Sequence, residues 1–231
     1  MTCIKGGGVR RQSEKVRLSN HHLHRGNGAV MKVPFRQQAS EFDCVPTSLI
    51  NALVYLFGRK EIPPFVVQRV YRDCLDYESA RGTSGRAIQD LGFWLNCYNE
   101  KSYVKFTIET KYIFGEQVHL RRNSRIIKCL NANGAALLCV HLSRYEWHCI
   151  LGIRYERGWL YCYDPYPRTT RFINNDSVQF ISTTGHHTPN LKIRMDWLDK
   201  EFNQAVTPDD RKYILGDYDD RECLLLNRIR E

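Results

Sequence analysis

The stretch QASEFDCVPTSLINALVYLFG, residues 38–58, predicts the helix around which the rest of the chain packs. Its apolar residues recur at helical spacing from Thr47 onward, at Leu49, Leu53, Leu56 and Phe57. Gly58 marks the point where the helix ends. Pro46 fits the first turn, where a missing N–H breaks no hydrogen bond. Cys44 therefore falls at or just before the helix N-terminus.

This position is chemically informative for Cys44. The unpaired N–H groups and the positive end of the helix dipole favour a negative charge there. With a histidine nearby, such a placement lowers a thiol pKa from about 8.5 to between about 3.5 and 7.5, so a thiolate is present at neutral pH. Gln38 lies six positions upstream and is placed to donate its side-chain amide to an oxyanion, beside the backbone N–H of Cys44. The alternative is that Cys44 is a buried, small, apolar residue, as many free cysteines are.

A second stretch, WHCILGIRYERGWLYCYDP at residues 147–165, predicts the partners of that thiol. Apolar runs at 135–142 and 148–156 and the run WLYCY, separated by short connections, favour a meander of antiparallel strands. His148 opens the second strand, and Asp164 ends the third. Because the strands are antiparallel, these two ends meet. Pro165 stops the third strand and leaves the carboxylate at a sheet edge.

Together these residues form the set that a thiol nucleophile needs. Cys44 is the candidate nucleophile, His148 the base, Asp164 the acid that orients the base, and Gln38 the oxyanion donor. A histidine alone on a strand is more often structural. The joint presence of all four residue types weakens that alternative.

At these residues the sequence resembles papain-like cysteine peptidases, and most closely the bacteriocin-processing (double-glycine leader) peptidase-like family. That family has a Gln six residues before the Cys, often an Asp directly before it, a Cys-Gly-Pro pattern, and later a His and an Asp-Pro pair. The resemblance spans about residues 33–165, and the stretch RGTSGRAIQDLGFWL (81–95) is similar to the family's Gly-Thr-Ser helix start. Val45 stands where the family usually has Gly, and we expect it to narrow the site beside Cys44.

The resemblance implies a papain-like fold, in which N-terminal helices come first and the nucleophile helix packs on an antiparallel β-sheet. The residues themselves predict the α+β class, because helical patterns precede the strand meander. Further helices are predicted at 65–75, 84–95, 123–131 and 196–202, extended segments at 103–110, 117–121, 178–181 and 191–194, and a last helix at 223–226.

Length and composition fit one folded domain. The chain has 231 residues with 42% hydrophobic content, and no apolar run approaches the roughly 20 residues of a membrane span. The nine cysteines include no Cys-x-x-Cys pair, which favours buried thiols of a reducing compartment over a disulfide framework or a zinc site. A cytoplasmic location is expected. A protein exported or injected without a visible signal peptide would have the same composition.

Residues 1–30 form a separate basic segment, and we expect residues 31–231 to form the peptidase-like domain. The segment has six Lys or Arg against one Glu, a net charge of +5 out of +9 for the chain. It has almost no large apolar residues, so a flexible, solvated tail is expected. Weak contact with nucleic acid or an anionic surface is the other interpretation. Its histidines lack the spacing of a closed metal site, and neither a metal nor an organic cofactor is expected.

The predicted function is a cysteine peptidase, a thiol hydrolase that acts on a polypeptide substrate at a peptide or isopeptide bond. A thiol-dependent acyltransferase, a deamidase or a transglutaminase-like enzyme would use the same residues and differ only in the second acceptor. The alternative from another functional class is a non-catalytic basic binding protein on the same scaffold.

Overall fold

The computed structural model describes residues 34–76, 82–168, 175–182, 185–205, 207–208 and 212–229. The predicted basic segment, residues 1–30, lies outside these ranges. The described part is an α+β structure, in which helices cover both faces of one antiparallel sheet. None of the helices in this part is long and apolar enough to cross a membrane.

Five helices and seven strands make up the described structure. The helices are α1 (Cys44–Leu56), α2 (Pro64–Asp73), α3 (Gly85–Cys97), α4 (Arg125–Asn131) and α5 (Met195–Leu198). The strands are β1 (Ile108–Phe114), β2 (Ala135–Ser143), β3 (Glu146–Glu156), β4 (Trp159–Tyr163), β5 (Val178–Phe180), β6 (Leu191–Arg194) and β7 (Glu222–Arg228).

The sheet has the strand order β1-β7-β2-β3-β4-β6-β5 with antiparallel pairing throughout. Its centre contains the predicted meander β2–β3–β4. Tyr163 at the end of β4 pairs with Leu151 of β3, so the chain after β4 runs past the first residues of β3. This register brings Asp164 to the end of the sheet at which His148 lies.

The two faces of the sheet belong to two apolar cores. On β2 the alternate residues Ala135, Leu137 and Cys139 face the core that contains α1, α2 and α3. Ala136, Leu138 and Val140 face the core that contains α4 and α5. Helix α1 lies against β2 and β3 and is buried almost all round. The packing of α1 on β2 and on β3, the strand that carries His148, therefore fixes the position of Cys44.

The prediction of a last helix at 223–226 is wrong. This run is the middle of β7, which lies inside the sheet between β1 and β2. Leu224 and Leu226 pack into one core, whereas Cys223 and Leu225 pack into the other. A strand buried on both faces is apolar at every position, so its pattern has no period of two and resembles a short buried helix.

Other predictions are wrong mainly where the chain is irregular. The expected extended segment at 103–110 is a strand only from Ile108, and the segment at 117–121 is not a strand. The expected helix at 196–202 ends at Leu198. The helices near 65–75, 84–95 and 123–131 occur with bounds shifted by one or two residues, and Ser84 and Ser124 cap two of them.

Candidate active site

Helix α1 begins at Cys44, as the sequence predicts. Val45 and Pro46 complete the start of its first turn, and both are buried. Cys44 itself is partly exposed, whereas six of the other seven described cysteines are buried. The structure therefore places Cys44 at a helix N-terminus, where the residue is only partly buried.

His148 and Asp164 are in direct contact. The Nε2 atom of His148 is 2.6 Å from Oδ1 of Asp164, and the side chains are 5% and 0% exposed. An ionised carboxylate only accepts hydrogen bonds, so Nε2 carries the proton and donates it to Asp164. Nδ1 is then the ring nitrogen that this bond leaves for other partners. His148 and Asp164 thus form a buried pair, and the interaction of His148 with Cys44 contributes to the raised pKa of the histidine.

The carboxylate of Asp164 accepts hydrogen bonds from four groups. Besides His148, the donors are the backbone N–H of Tyr166 at 2.9 Å, Nε of Arg168 at 3.0 Å and the hydroxyl of Tyr213. The backbone of Asp164 is fixed as well, because the side-chain amide of Asn190 pairs with both its N–H and its C=O. Asp164 is thus held rigidly while it orients His148.

The surrounding groups shift the pKa values of Asp164 and His148 in opposite directions. Burial raises the pKa of Asp164, but the hydrogen bond and charge of His148, with Arg168 and Tyr213, outweigh it and hold the pKa at about 2. Burial lowers the pKa of His148, but the hydrogen bonds to Asp164 and Cys44 outweigh it and raise the pKa to about 9. Asp164 is therefore ionised and His148 protonated at neutral pH.

The thiol of Cys44 is strongly acidified. A hydrogen bond from the Cys149 thiol is the largest cause, and the hydrogen bond and positive charge of His148 add to it. These effects exceed the opposing effect of burial and lower the pKa of Cys44 to about 5. Because the pKa of His148 is about 9, a thiolate and an imidazolium coexist between these two pH values.

Cys44 differs in this respect from other cysteines of the chain. Burial raises the pKa of Cys74 to about 12 and that of Cys129 to about 11. Burial also raises the pKa of Cys162 and Cys223 above the ordinary range. A buried thiol without a charge partner stays protonated and inert, so reactivity is expected at Cys44.

Gln38 lies in the segment that enters α1 and is 8% exposed. Its backbone N–H donates to the carbonyl of Pro165 at 2.9 Å, which joins this segment to the residue after Asp164. The side-chain Nε2 donates to the carbonyl of Ser40 at 2.7 Å. A side-chain amide has two N–H groups, so this bond leaves one of them for an oxyanion. The Oε1 atom is buried and has no hydrogen-bond partner among the described residues.

The turn between Gln38 and Cys44 is organised by Asp43, the Asp directly before the Cys, to which the sequence analysis gave no structural role. Its carboxylate accepts from the backbone N–H of Ala39 at 2.9 Å and of Ser40 at 2.7 Å, and from the hydroxyl of Thr47 at 3.3 Å. Partial burial raises the pKa of Asp43, but these backbone amides lower it on balance. The available signal was an Asp before a predicted helix start, a common capping position.

A cleft of about 470 Å³ adjoins the acid and not the thiol. Its walls include Phe35, Tyr166, Arg168, His187 and Asn190, and Cys44 and His148 are not among them. Three of these wall residues are hydrogen-bonded to Asp164. The cleft therefore adjoins the hydrogen-bond partners of Asp164, and Cys44 does not line it.

Among the described residues, no group of three or more His, Cys, Asp and Glu side chains is arranged to hold a metal ion. The chain matches no protein-family model and no curated protein. The geometry of the four predicted residues is thus the basis for assigning a function.

Proposed function

We propose that the protein is a papain-like cysteine peptidase that cleaves a peptide or isopeptide bond of a polypeptide substrate. The observation that carries this proposal is the buried hydrogen bond between His148 and Asp164, together with the lowered pKa that the charge of His148 helps to give Cys44 at the start of α1. The acidified thiol at one end and the buried carboxylate at the other match the needs of a thiol nucleophile.

The reaction begins when the Cys44 thiolate attacks the carbonyl carbon of the scissile bond. The carbonyl oxygen becomes an oxyanion, which accepts hydrogen bonds from the backbone N–H of Cys44 and the side-chain amide of Gln38. The imidazolium of His148 then gives its Nδ1 proton to the leaving amine, and a thioester remains on Cys44. His148 next takes a proton from water, which attacks the thioester and releases the acid product.

Asp164 acts on the reaction through His148. Its bond to Nε2 holds the ring in the orientation that directs Nδ1 to the thiol, and its negative charge stabilises the imidazolium. Since the carboxylate is itself fixed by several donors, the imidazole has one preferred position. Preorganisation of this kind removes the need for the groups to reorient during the reaction.

Two exposed aromatic side chains favour a polypeptide substrate. Phe42, two residues before the nucleophile, is 44% exposed, and Trp147, directly before the base, is 46% exposed. In sequence, Phe42 and Trp147 stand within two residues of Cys44 and His148, and we propose that they form part of the surface that binds the substrate chain. We therefore expect apolar residues of the substrate to flank the scissile bond.

The test is a comparison of protein termini in cells that express wild type or Cys44→Ala. New N-termini should appear with wild type and disappear with Cys44→Ala. Cys162→Ala removes a buried thiol with a raised pKa and serves as the matched control that should retain cleavage. Identical termini in wild-type and Cys44→Ala cells would exclude peptidase activity. Incorporation of an added amine in place of water would instead indicate acyl transfer.

Once a substrate is found, Gln38→Ala tests the oxyanion role. The variant should lose about 10²–10³ in turnover, because the donor acts only when the oxyanion forms. Alkylation of Cys44 by iodoacetamide should stay near the wild-type rate, since the thiolate does not depend on this amide. Full turnover in Gln38→Ala would show that the oxyanion is held by other groups.

A further inference from the structure

The cleft beside Asp164 has no part in the proposed reaction. Its volume of about 470 Å³ falls within the range of pockets that bind small molecules, about 300–1,000 Å³. Phe35 and Gln37 line it from the segment that enters α1, and His187 lines it from the stretch between β5 and β6. The cleft thus forms where two segments meet that are distant in sequence.

Aromatic rings form much of the wall of this cleft. The ring of Phe35 stacks on the imidazole of His187, with centroids 4.9 Å apart and planes inclined by 16°. The same ring contacts Tyr163 at a centroid distance of 4.7 Å. Tyr166 and Phe180 line the cleft as well. Flat aromatic surfaces of this kind favour a ligand that has a planar aromatic ring of its own.

Arg168 adds a positive charge to the aromatic wall. Its side chain is 20% exposed, and Nε donates to Oδ2 of Asp164 at 3.0 Å. This bond uses one of the five N–H groups of the guanidinium. The Cζ atom lies 4.8 Å from the ring centroid of Tyr166 and 5.3 Å from that of Tyr213, so the guanidinium is held in place. Asp164 is shared, because its carboxylate also accepts from His148.

The described residues that line the cleft carry no opposing negative charge. None of them is Asp or Glu, and amide and hydroxyl side chains accompany Arg168 instead, those of Gln37, Ser182, Thr188 and Asn190. A guanidinium matches a carboxylate in shape and in the spacing of its donors. A single cation balances the charge of a carboxylate, whereas a phosphate dianion needs more than one.

We propose that the cleft binds a small aromatic carboxylate, with the carboxylate on the guanidinium of Arg168 and the ring against Phe35 and its aromatic neighbours. This ligand site goes beyond the proposed function, because neither Cys44 nor His148 lines it. A bound ligand lies next to two groups that hold Asp164, since Arg168 and Asn190 both form hydrogen bonds to that residue.

The experiment titrates naphthoate into the full-length protein and measures binding by calorimetry. Naphthamide is the matched ligand, with the same ring and no charge. Arg168→Gln removes the cation, and Phe35→Leu removes an aromatic ring of the wall. Arg154→Gln is the matched control variant, because Arg154 also lies over a tyrosine, 4.1 Å from the ring centroid of Tyr161, but does not line the cleft. Melting temperatures establish that each variant is folded.

Naphthoate should give saturable binding to wild type, and naphthamide should bind at least about tenfold more weakly. Arg168→Gln should weaken the binding of naphthoate by about 10–100-fold, as expected when hydrogen bonds to a charged group are lost, and change that of naphthamide little. Phe35→Leu should weaken the binding of both ligands. Arg154→Gln should bind both as wild type does.

Four results would overturn the proposal. Wild type that shows no saturable binding of naphthoate would refute the site. Equal affinity for naphthamide would remove the role of the charge, and tighter binding of naphthyl phosphate would contradict the assignment to a carboxylate. A loss in Arg154→Gln as large as in Arg168→Gln would place the ligand elsewhere. If Arg168→Gln does not fold, the two ligands on wild type and Phe35→Leu decide the question. None of these measurements involves turnover, so the ligand site and the proposed function are tested separately.

Discussion

Among the described residues, two charged side chains are completely buried, and they differ in where their hydrogen bonds lead. Arg221 and Asp164 are both 0% exposed. The guanidinium of Arg221 donates to the carbonyls of Gly216 and Val118 and to both the carboxylate and the carbonyl of Asp199, at 2.8–3.0 Å. All these acceptors belong to loops between strands. Arg221 thus cross-links loops, and its hydrogen bonds end there.

The carboxylate of Asp164 also accepts several hydrogen bonds, but one of its donors, His148, acts on a further residue as well. His148 bonds to the carboxylate through Nε2, and its positive charge also helps to lower the pKa of the Cys44 thiol. A buried charge is therefore not by itself a sign of catalysis, because structural ion pairs also perturb pKa values. The informative feature is a partner that also acts on a second group, as His148 does on the pKa of Cys44.

The largest effect is expected for Asp164→Asn, which tests the functional side of this comparison. The amide is similar in shape but no longer stabilises the imidazolium, and it favours the wrong tautomer of His148. Turnover should fall by about 10⁴, as expected when the acid of such a triad is neutralised. Alkylation of Cys44 at pH 6 should slow as well. The measurements are kcat and the alkylation rate of folded protein.

Asp164→Asn also brings an amide N–H towards fixed donors such as the Arg168 guanidinium. Some loss of stability is therefore expected, about 1–3 kcal/mol for an unsatisfied buried group. Melting curves separate this loss from the loss of turnover. Wild-type turnover in a folded Asp164→Asn protein would mean that a different residue orients His148.

The second-largest effect is expected at Arg221, the structural residue of this comparison. Arg221→Met should lower the free energy of unfolding, because the carbonyls of Val118, Gly216 and Asp199 lose their donor in a buried place. Removing one partner of a buried pair costs about 3–5 kcal/mol. The lower end is expected, since the Asp199 side chain is 22% exposed and can be solvated. Urea unfolding measures the change.

At temperatures where Arg221→Met remains folded, the pH profile of Cys44 alkylation should equal that of wild type. Arg221 touches none of the three residues of the candidate triad. A shifted profile would show that the two buried clusters are coupled, and the distinction between a structural and a functional cluster would fail.

The sequence was sufficient for the part of the site that depends on local pattern. Helical spacing after Thr47 predicted α1, and the apolar runs predicted the β2–β4 meander with His148 and Asp164 at adjoining ends. Each signal lies within one or two consecutive elements. Strands that are neighbours in sequence usually pair with each other, so their contact could be predicted without the tertiary structure.

The partners of Asp164 that come from distant segments could not be predicted in the same way. Tyr213 lies 49 residues from Asp164 and Asn190 lies 26 residues from it, and neither stands in a motif.

The smallest effect is expected for Tyr213→Phe, which removes one donor from Asp164 and leaves the other three. A hydrogen bond to a charged group contributes about 1.5–3 kcal/mol, and the lower end is expected here because Arg168 bonds to the same oxygen. Turnover should change little, since His148 keeps its acceptor. The measurement is the free energy of unfolding of both proteins between pH 2 and pH 7.

The pH dependence of the free energy of unfolding distinguishes the loss of the Tyr213 hydrogen bond from a packing defect. The pKa of Asp164 is about 2 in the folded protein and 3.8 in its ordinary state. A carboxyl with a lowered folded pKa contributes stability that is present above the unfolded value and is lost as the pH falls through the folded value. Removing the Tyr213 donor raises the folded pKa and reduces that contribution. Wild type and Tyr213→Phe should therefore differ fully at neutral pH, and the difference should shrink as the pH falls towards 2. A difference that keeps its neutral-pH size at pH 2 would assign the tyrosine to packing.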